Sequence, residues 1–214
     1  MPRDEENSMT NVERAEKHWH QLLSHSGTSS IENSNENKDL TALLEGNKDN
    51  LLTALARSEF LAEFLTQPSL SSKTLENVTT APPNNDAEDY YIQRILEWLD
   101  NVKTEDELLV ALRQCRNEQM ARITYADVLN LQTISVSLAQ VSALADCLIT
   151  AAYKWLYQDA CKRYGSPMGE NGPLQMYILG MGKLGGRELN FSSDIDSIFA
   201  YPEKGDTQGG RKSI

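Results

Sequence analysis

Basic residues are scarce in this sequence. Of its 214 residues, 20 are Lys or Arg against 31 Asp or Glu, which leaves a formal net charge of −11. Affinity for nucleic acid rests on clustered cations that neutralise phosphates, so a DNA or RNA partner is disfavoured. Cysteine is also sparse: Cys115, Cys147 and Cys161 are odd in number, lie in helix-like segments and form no C-x-x-C pair. That pattern excludes a disulfide framework and reads as reduced thiols in a cytoplasmic protein. The N-terminal run MPRDEENSMTNVERAEKHWH has no apolar stretch of the kind a secretory signal needs. Val128 to Ala145 carries no charge, but Asn130, Gln132, Ser135, Ser137 and Gln140 interrupt it, so no membrane span is expected.

Strand character is missing from most of the chain as well. Residues 1–10 read as a polar tail, Val12 to Leu23 as a short amphipathic helix, and Gly27 to Asn37 as a polar link. Asp39 to Glu45 and Asp49 to Leu65 read as helices, the second on the spacing of Leu51, Leu55, Leu61 and Leu65 and ended by Pro68. Ser69 to Asp86, containing TTAPPNND, reads as a linker, and Ala87 to Asn101 as a helix. Thr104 and Glu107 form a capping box that opens a helix to about Thr124, with a short helix to Leu131 after it. Ile134, Leu138, Val141, Ala145, Leu148, Ala152 and Trp155 then repeat every three or four residues, one apolar stripe along a long bundle helix. Gly165 and Pro167 stop it.

What is present comes late: LQMYILGMGKLGGRELNFSSDIDSIFAY, Leu174 to Tyr201. Met176 to Leu179 reads as a strand, and Asp194 to Tyr201 as a second one. Gly180, Gly182 and Gly185 fit G-x-G-x-x-G, the fingerprint of a dinucleotide-binding turn. That fold needs a full helix after the glycines and an acidic residue about 20 residues on. GRELNFSS leaves room for about two helical turns. A phosphate-binding P-loop fails too, because Tyr177 occupies the first glycine position and Leu184 follows Lys183 in place of Ser or Thr.

On a strand, residues two apart share a face, so Asp194 and Asp196 would project two carboxylates together. Such a pair repels itself unless a cation lies between. Mg²⁺ takes one or two carboxylates together with waters and phosphate oxygens, and can stabilise the oxygens of a phosphoryl or nucleotidyl transfer. The glycines and Lys183 would let backbone N–H groups and a positive charge approach the phosphates. The bland alternative is a solvated strand edge.

GMGKLGGRELNFSSDID followed by SIFAY resembles the signature of the glutamine synthetase adenylyltransferase and adenylyl-removing enzyme family, within the DNA polymerase β-like nucleotidyltransferases. Ala56 to Pro68 and Leu112 to Leu131 are similar to helical segments of the same family. The resemblance implies an α+β fold. With the pattern read along the chain, this gives a flexible segment over 1–38, a helical region over 39–165, and the incomplete start of a nucleotidyltransferase sheet over 166–214. It implies that Asp194 and Asp196 hold Mg²⁺ and carry the catalysis, and that Gly182, Lys183, Gly185 and Gly186 line the site for AMP or phosphate. Either Gly182–Lys183 or Gly185–Gly186 takes the place of the superfamily's glycine pair. Ser192 and Ser193 suit contact with metal-bound water or a turn role; Ser193 is grouped with the nucleotide-binding residues.

The implied activity is removal of AMP from adenylylated glutamine synthetase by phosphorolysis. Addition of AMP from ATP would belong to a second module. PII-type signal proteins and glutamine are the implied regulators. The family's third carboxylate lies on a later strand, and Asp206, in a turn-rich tail, does not replace it; the fragment alone is expected to be inactive. Ser197 occupies a position that is usually aliphatic. The other reading is a non-catalytic helical module that docks glutamine synthetase or a regulator. His18, His20 and His25 are expected on an exposed helix, since i and i+2 share no face. Arg113, Arg116 and Arg122 are expected to be solvated or ion-paired, or to reach a phosphate.

Overall fold

The structure is a computed structural model that describes residues 10–28, 34–80 and 87–210. The tail over 1–9, parts of both polar links (29–33 and 81–86) and the side chain of His25 lie outside the described residues. The protein is mostly helical with short antiparallel strands, an α+β composition. It divides into two compact units: residues up to Asn84 with Asn117–Ser137, and Asn85–Arg116 with Leu138 onward.

The first unit is helical. α1 (Asn11–Thr28) opens on a capping box, in which the Thr10 amide donates to Glu13 Oε2 at 2.7 Å and the Glu13 amide to Thr10 Oγ1 at 3.3 Å. α2 (Ser34–Gly46) begins within the expected polar link, which is therefore shorter than its composition suggested. The helix expected over 49–65 is two, α3 (Lys48–Arg57) and α4 (Glu59–Leu65). Ser58 breaks it: its backbone is extended and its hydroxyl accepts the Leu61 amide at 3.2 Å, a side-chain cap that competes with continuation of the helix. The expected linker over 69–86 contains a further helix, α5 (Ser72–Thr79), capped by Ser71. Trp19, Leu22, Leu44, Leu51, Leu61, Leu65 and Leu75 form the core with Tyr125, each Leu contributing roughly 1.5–3 kcal/mol by leaving water.

α6 (Ala87–Leu99) belongs to the second unit, and α7 (Glu105–Val128) contributes residues to both. The Thr104–Glu107 box forms as expected, but α7 runs on through the break placed near Thr124. α8 (Ile134–Tyr164) is the long expected helix. By length and composition it would suffice to cross a bilayer. In the second unit, however, Val141, Leu144 and Ala145 are buried, and its Ser and Tyr hydroxyls bond to segments later in the chain.

The strands come next. β1 (Gly165–Gly169) lies between β2 (Gly172–Pro173) and β5 (Asp206–Gly209), antiparallel to both. β3 (Tyr177–Gly180) pairs antiparallel with β4 (Ser197–Ala200) in the register Gly180↔Ser197. β5 corrects the reading of the polar tail: Asp206 sits on a strand opposite Met168, not in a turn. The second expected strand also starts later, at Ser197, so Asp194 and Asp196 precede it on irregular backbone.

Candidate functional site

The loop between β3 and β4 carries Gly182, Lys183, Gly185, Gly186, Ser193, Asp194 and Asp196, the residues expected to form the nucleotide and metal site. Its ends are pinned: beyond the Gly180↔Ser197 rung, the Met181 amide donates to the Asp196 carbonyl at 2.9 Å. The chain then makes a single helical turn, α9 (Gly182–Gly185), and the GRELNFSS spacer that follows, with room for about two turns, forms no helix. Gly182 enters the turn at φ 54°, a left-handed conformation that glycine adopts without a Cβ penalty. Gly185 is required for a different reason, because a Cβ there would lie 2.6 Å from the carbonyl oxygen of Gly180. Leu184, between them, is buried.

The return segment is organised by Asn190. Its Oδ1 accepts the Ser192 amide at 3.2 Å and the Ser193 hydroxyl at 2.5 Å, while the Ser193 amide donates to the Asn190 carbonyl. This is an Asx turn, in which a short polar side chain substitutes for backbone partners. It aims Ser193 across the loop, where its Oγ lies 3.3 Å from Lys183 Nζ. The structure thus brings Lys183 and Ser193 together immediately before Asp194. Asp194 and Asp196 are both exposed. Gly186 follows α9 with only ordinary contacts around its Cβ position. Among the described residues no three acidic, His or Cys side chains group as a metal cluster. Two exposed carboxylates are donors of the chemistry a hard cation takes, the rest of its shell being water and phosphate oxygens. Because both precede β4, the shared strand face expected of them is not what sets their side chains.

α6 and α8 brace the loop. Arg187, at φ 57°, places its guanidinium 2.9 Å from Glu88 Oε1, and this ion pair orients it. The buried Leu189 amide donates to Ser142 Oγ at 3.0 Å. On the entry side the Met176 amide donates to the Tyr153 hydroxyl at 2.9 Å, and the Tyr157 hydroxyl to the Leu174 carbonyl at 2.7 Å. Burial raises the carboxyl of Asp146 above its ordinary value, with Arg187 opposing and Glu88 adding to the rise. Asp146, Thr150, Tyr153, Gly180 and Ser197 line a cavity of about 270 Å³ at the end of the hairpin.

Ser142, Glu88, Asp146 and the two tyrosines were not identifiable from the sequence, because nothing in their spacing announces a partner far along the chain, 47 residues away for Ser142 and 99 for Glu88. Asn190 carried a signal, the N-x-S-S of an Asx turn. His18 is half-buried and His20 exposed on α1. Arg113 and Arg116 are exposed in the second unit, and Arg122 is buried in the first.

Residues 48–214 match the family described as glutamate-ammonia ligase adenylyltransferase. A bifunctional glutamine synthetase adenylyltransferase/adenylyl-removing enzyme from Alteromonas mediterranea is 51% identical over 235 residues, covering 100% of this chain and 23% of the relative. Proteins of the same name from Shewanella woodyi and Pasteurella multocida are 55% and 45% identical, over 54% and 75% of this chain and 12% and 16% of their own lengths. The chain spans less than a quarter of the length of these relatives.

Proposed function

The chain belongs to the glutamate-ammonia ligase adenylyltransferase family, and from that premise we propose that it supplies part of a nucleotidyltransferase site that removes AMP from adenylylated glutamine synthetase. The observation that carries the reading is the contact between Lys183 and Ser193 across the glycine loop, directly before Asp194 and Asp196. It sets one positive charge against the serine that immediately precedes two exposed carboxylates in the chain, on a glycine-rich loop.

In this reading the β3–α9–β4 segment is the start of a polymerase β-like sheet. Asp194 and Asp196 would hold Mg²⁺, which supplies charge neutralisation for the phosphates when bound. Lys183 draws the anionic phosphate toward the loop, and Ser193 fixes the ammonium through its hydroxyl. Gly182 and Gly186 keep side chains out of the space the AMP phosphate would occupy, and Gly185 lets the turn close against the Gly180 carbonyl. An oxygen of inorganic phosphate attacks the AMP phosphorus, the bond from phosphorus to the tyrosine oxygen breaks, and ADP forms. The phenolate leaves and takes a proton. The work of these residues is positioning and charge stabilisation, which dominate phosphoryl-transfer catalysis.

Glutamine synthetase is the protein partner this reading requires, with AMP, ADP and phosphate as ligands; the full-length enzyme would add AMP from ATP at a second module and answer to a PII-type signal protein. A cytoplasmic setting fits cysteines that form no disulfide. The test is ADP binding titrated with Mg²⁺ by calorimetry, in an enzyme of the family's full length that carries these 214 residues. Affinity should rise with Mg²⁺ and lose that dependence in Asp194→Asn. Binding of glutamine synthetase with no metal-linked nucleotide effect would favour a docking module instead.

A further inference from the structure

We propose that Ser142 is a positioning residue for this site, holding the glycine loop in register from α8; the proposal rests on the AMP-removing function proposed for the loop. Ser142 is fully buried within the second unit, one turn from the start of its share of α8. Its hydroxyl has one proton and two lone pairs. The proton goes to the Leu138 carbonyl at 2.9 Å, and a lone pair accepts the Leu189 amide at 3.0 Å. Both groups of the bond are buried, since Leu189 is 3% exposed.

The position of Leu189 gives the bond its consequence. Leu189 follows the α9 turn and immediately precedes Asn190, whose side chain organises Ser192 and Ser193. Moving the Leu189 amide moves Asn190, then Ser193, then the contact with Lys183 and the approach of Asp194. The Arg187–Glu88 ion pair beside it is exposed on both sides and resists such movement weakly. At the entry to β3 the corresponding restraints are the bonds of Tyr153 and Tyr157, also on α8. α8 therefore holds the segment by its backbone at both ends, and Ser142 is the buried hold on the side that carries the carboxylates. A displacement of about 1 Å at a reacting group can cost roughly 100-fold in rate, so a residue that touches neither nucleotide nor metal still sets the turnover.

The experiment compares Ser142→Ala, Ser142→Cys and Ser142→Thr with wild type in the full-length enzyme carrying these residues, with Asp194→Asn alongside. Amide hydrogen exchange at Leu189 is measured on the 214-residue chain. Ser142→Ala should lower kcat for AMP release about tenfold or more, leave KM for the adenylylated protein within about threefold, and speed Leu189 exchange about tenfold. Ser142→Thr, which keeps the hydroxyl, should recover most of kcat. Ser142→Cys, near in shape and a poor acceptor, should resemble Ser142→Ala and reports the same effect if alanine disturbs the helix. The proposal is overturned if Asp194→Asn is inactive while Ser142→Ala and Ser142→Cys turn over at the wild-type rate. Unchanged Leu189 exchange, or a threonine variant no better than alanine, overturns it equally. An active Asp194→Asn enzyme would instead remove the functional reading beneath it.

Discussion

Cys147 shows how one side chain records its surroundings. It is buried in α8, and its thiol is pushed up to about 11, first by burial and then by the carboxylates of Glu88, Asp146 and Asp89. Below pH 9 both folded and unfolded chains keep the proton, and stability is unaffected. Between pH 9 and about 11 the unfolded chain releases it first, so stability should fall by up to about 1.4 kcal/mol per pH unit. Urea midpoints measured across that window should decline in the wild type and decline less in Cys147→Ala. Parallel slopes would show that the thiol is not held up. At this scale the sequence announced its glycines and aspartates, because backbone freedom and charge are properties of the residue type. It could not announce Ser142 or Glu88, whose roles come from partners distant in the chain. Nor could it separate the requirement at Gly185, set by the Gly180 carbonyl, from the ordinary contacts around Gly186.

Helices whose apolar spacing and caps agree were legible, and the capping box of α7 shows why. The Glu107 carboxylate accepts the amides of Lys103 at 2.7 Å and Thr104 at 3.1 Å, which hold its carboxyl below the usual carboxylate range, the Lys103 bond most. Thr104 Oγ1 accepts the Glu107 amide at 3.2 Å in return. Thr104→Ala should cost about 1 kcal/mol, read as a lower urea midpoint with an unchanged slope; no shift would mean the box is incidental. The elements that escaped were those built without periodicity. β5 is polar and exposed at every residue, so it has no alternation to read and takes its structure from pairing with β1. α5 was hidden in a Ser/Thr-rich stretch and is fixed by its cap and by the burial of Leu75 and Val78. Ser58 divided one apolar repeat into two helices because its hydroxyl found an amide, a competition that apolar spacing alone does not display.

At the scale of the whole molecule, a helical scaffold carries one chemically distinctive loop. Among the described residues no strand precedes Gly165, and α8 supplies the hydroxyls that hold β3 and the glycine loop. Family membership rests on the match over residues 48–214 and on full coverage by a relative at 51% identity, while AMP transfer by this site and its direction are proposals. The claim on which the account depends is that Asp194 and Asp196 carry that transfer. The most direct measurement is single-turnover release of ADP from adenylylated glutamine synthetase and phosphate, by the full-length enzyme carrying these residues, with Asp194→Asn compared to wild type. The account predicts loss of ADP release by about a hundred- to a thousandfold, the scale seen when one essential charge-stabilising group is removed, with unchanged circular dichroism. ADP release at the wild-type rate by a folded Asp194→Asn enzyme would contradict it.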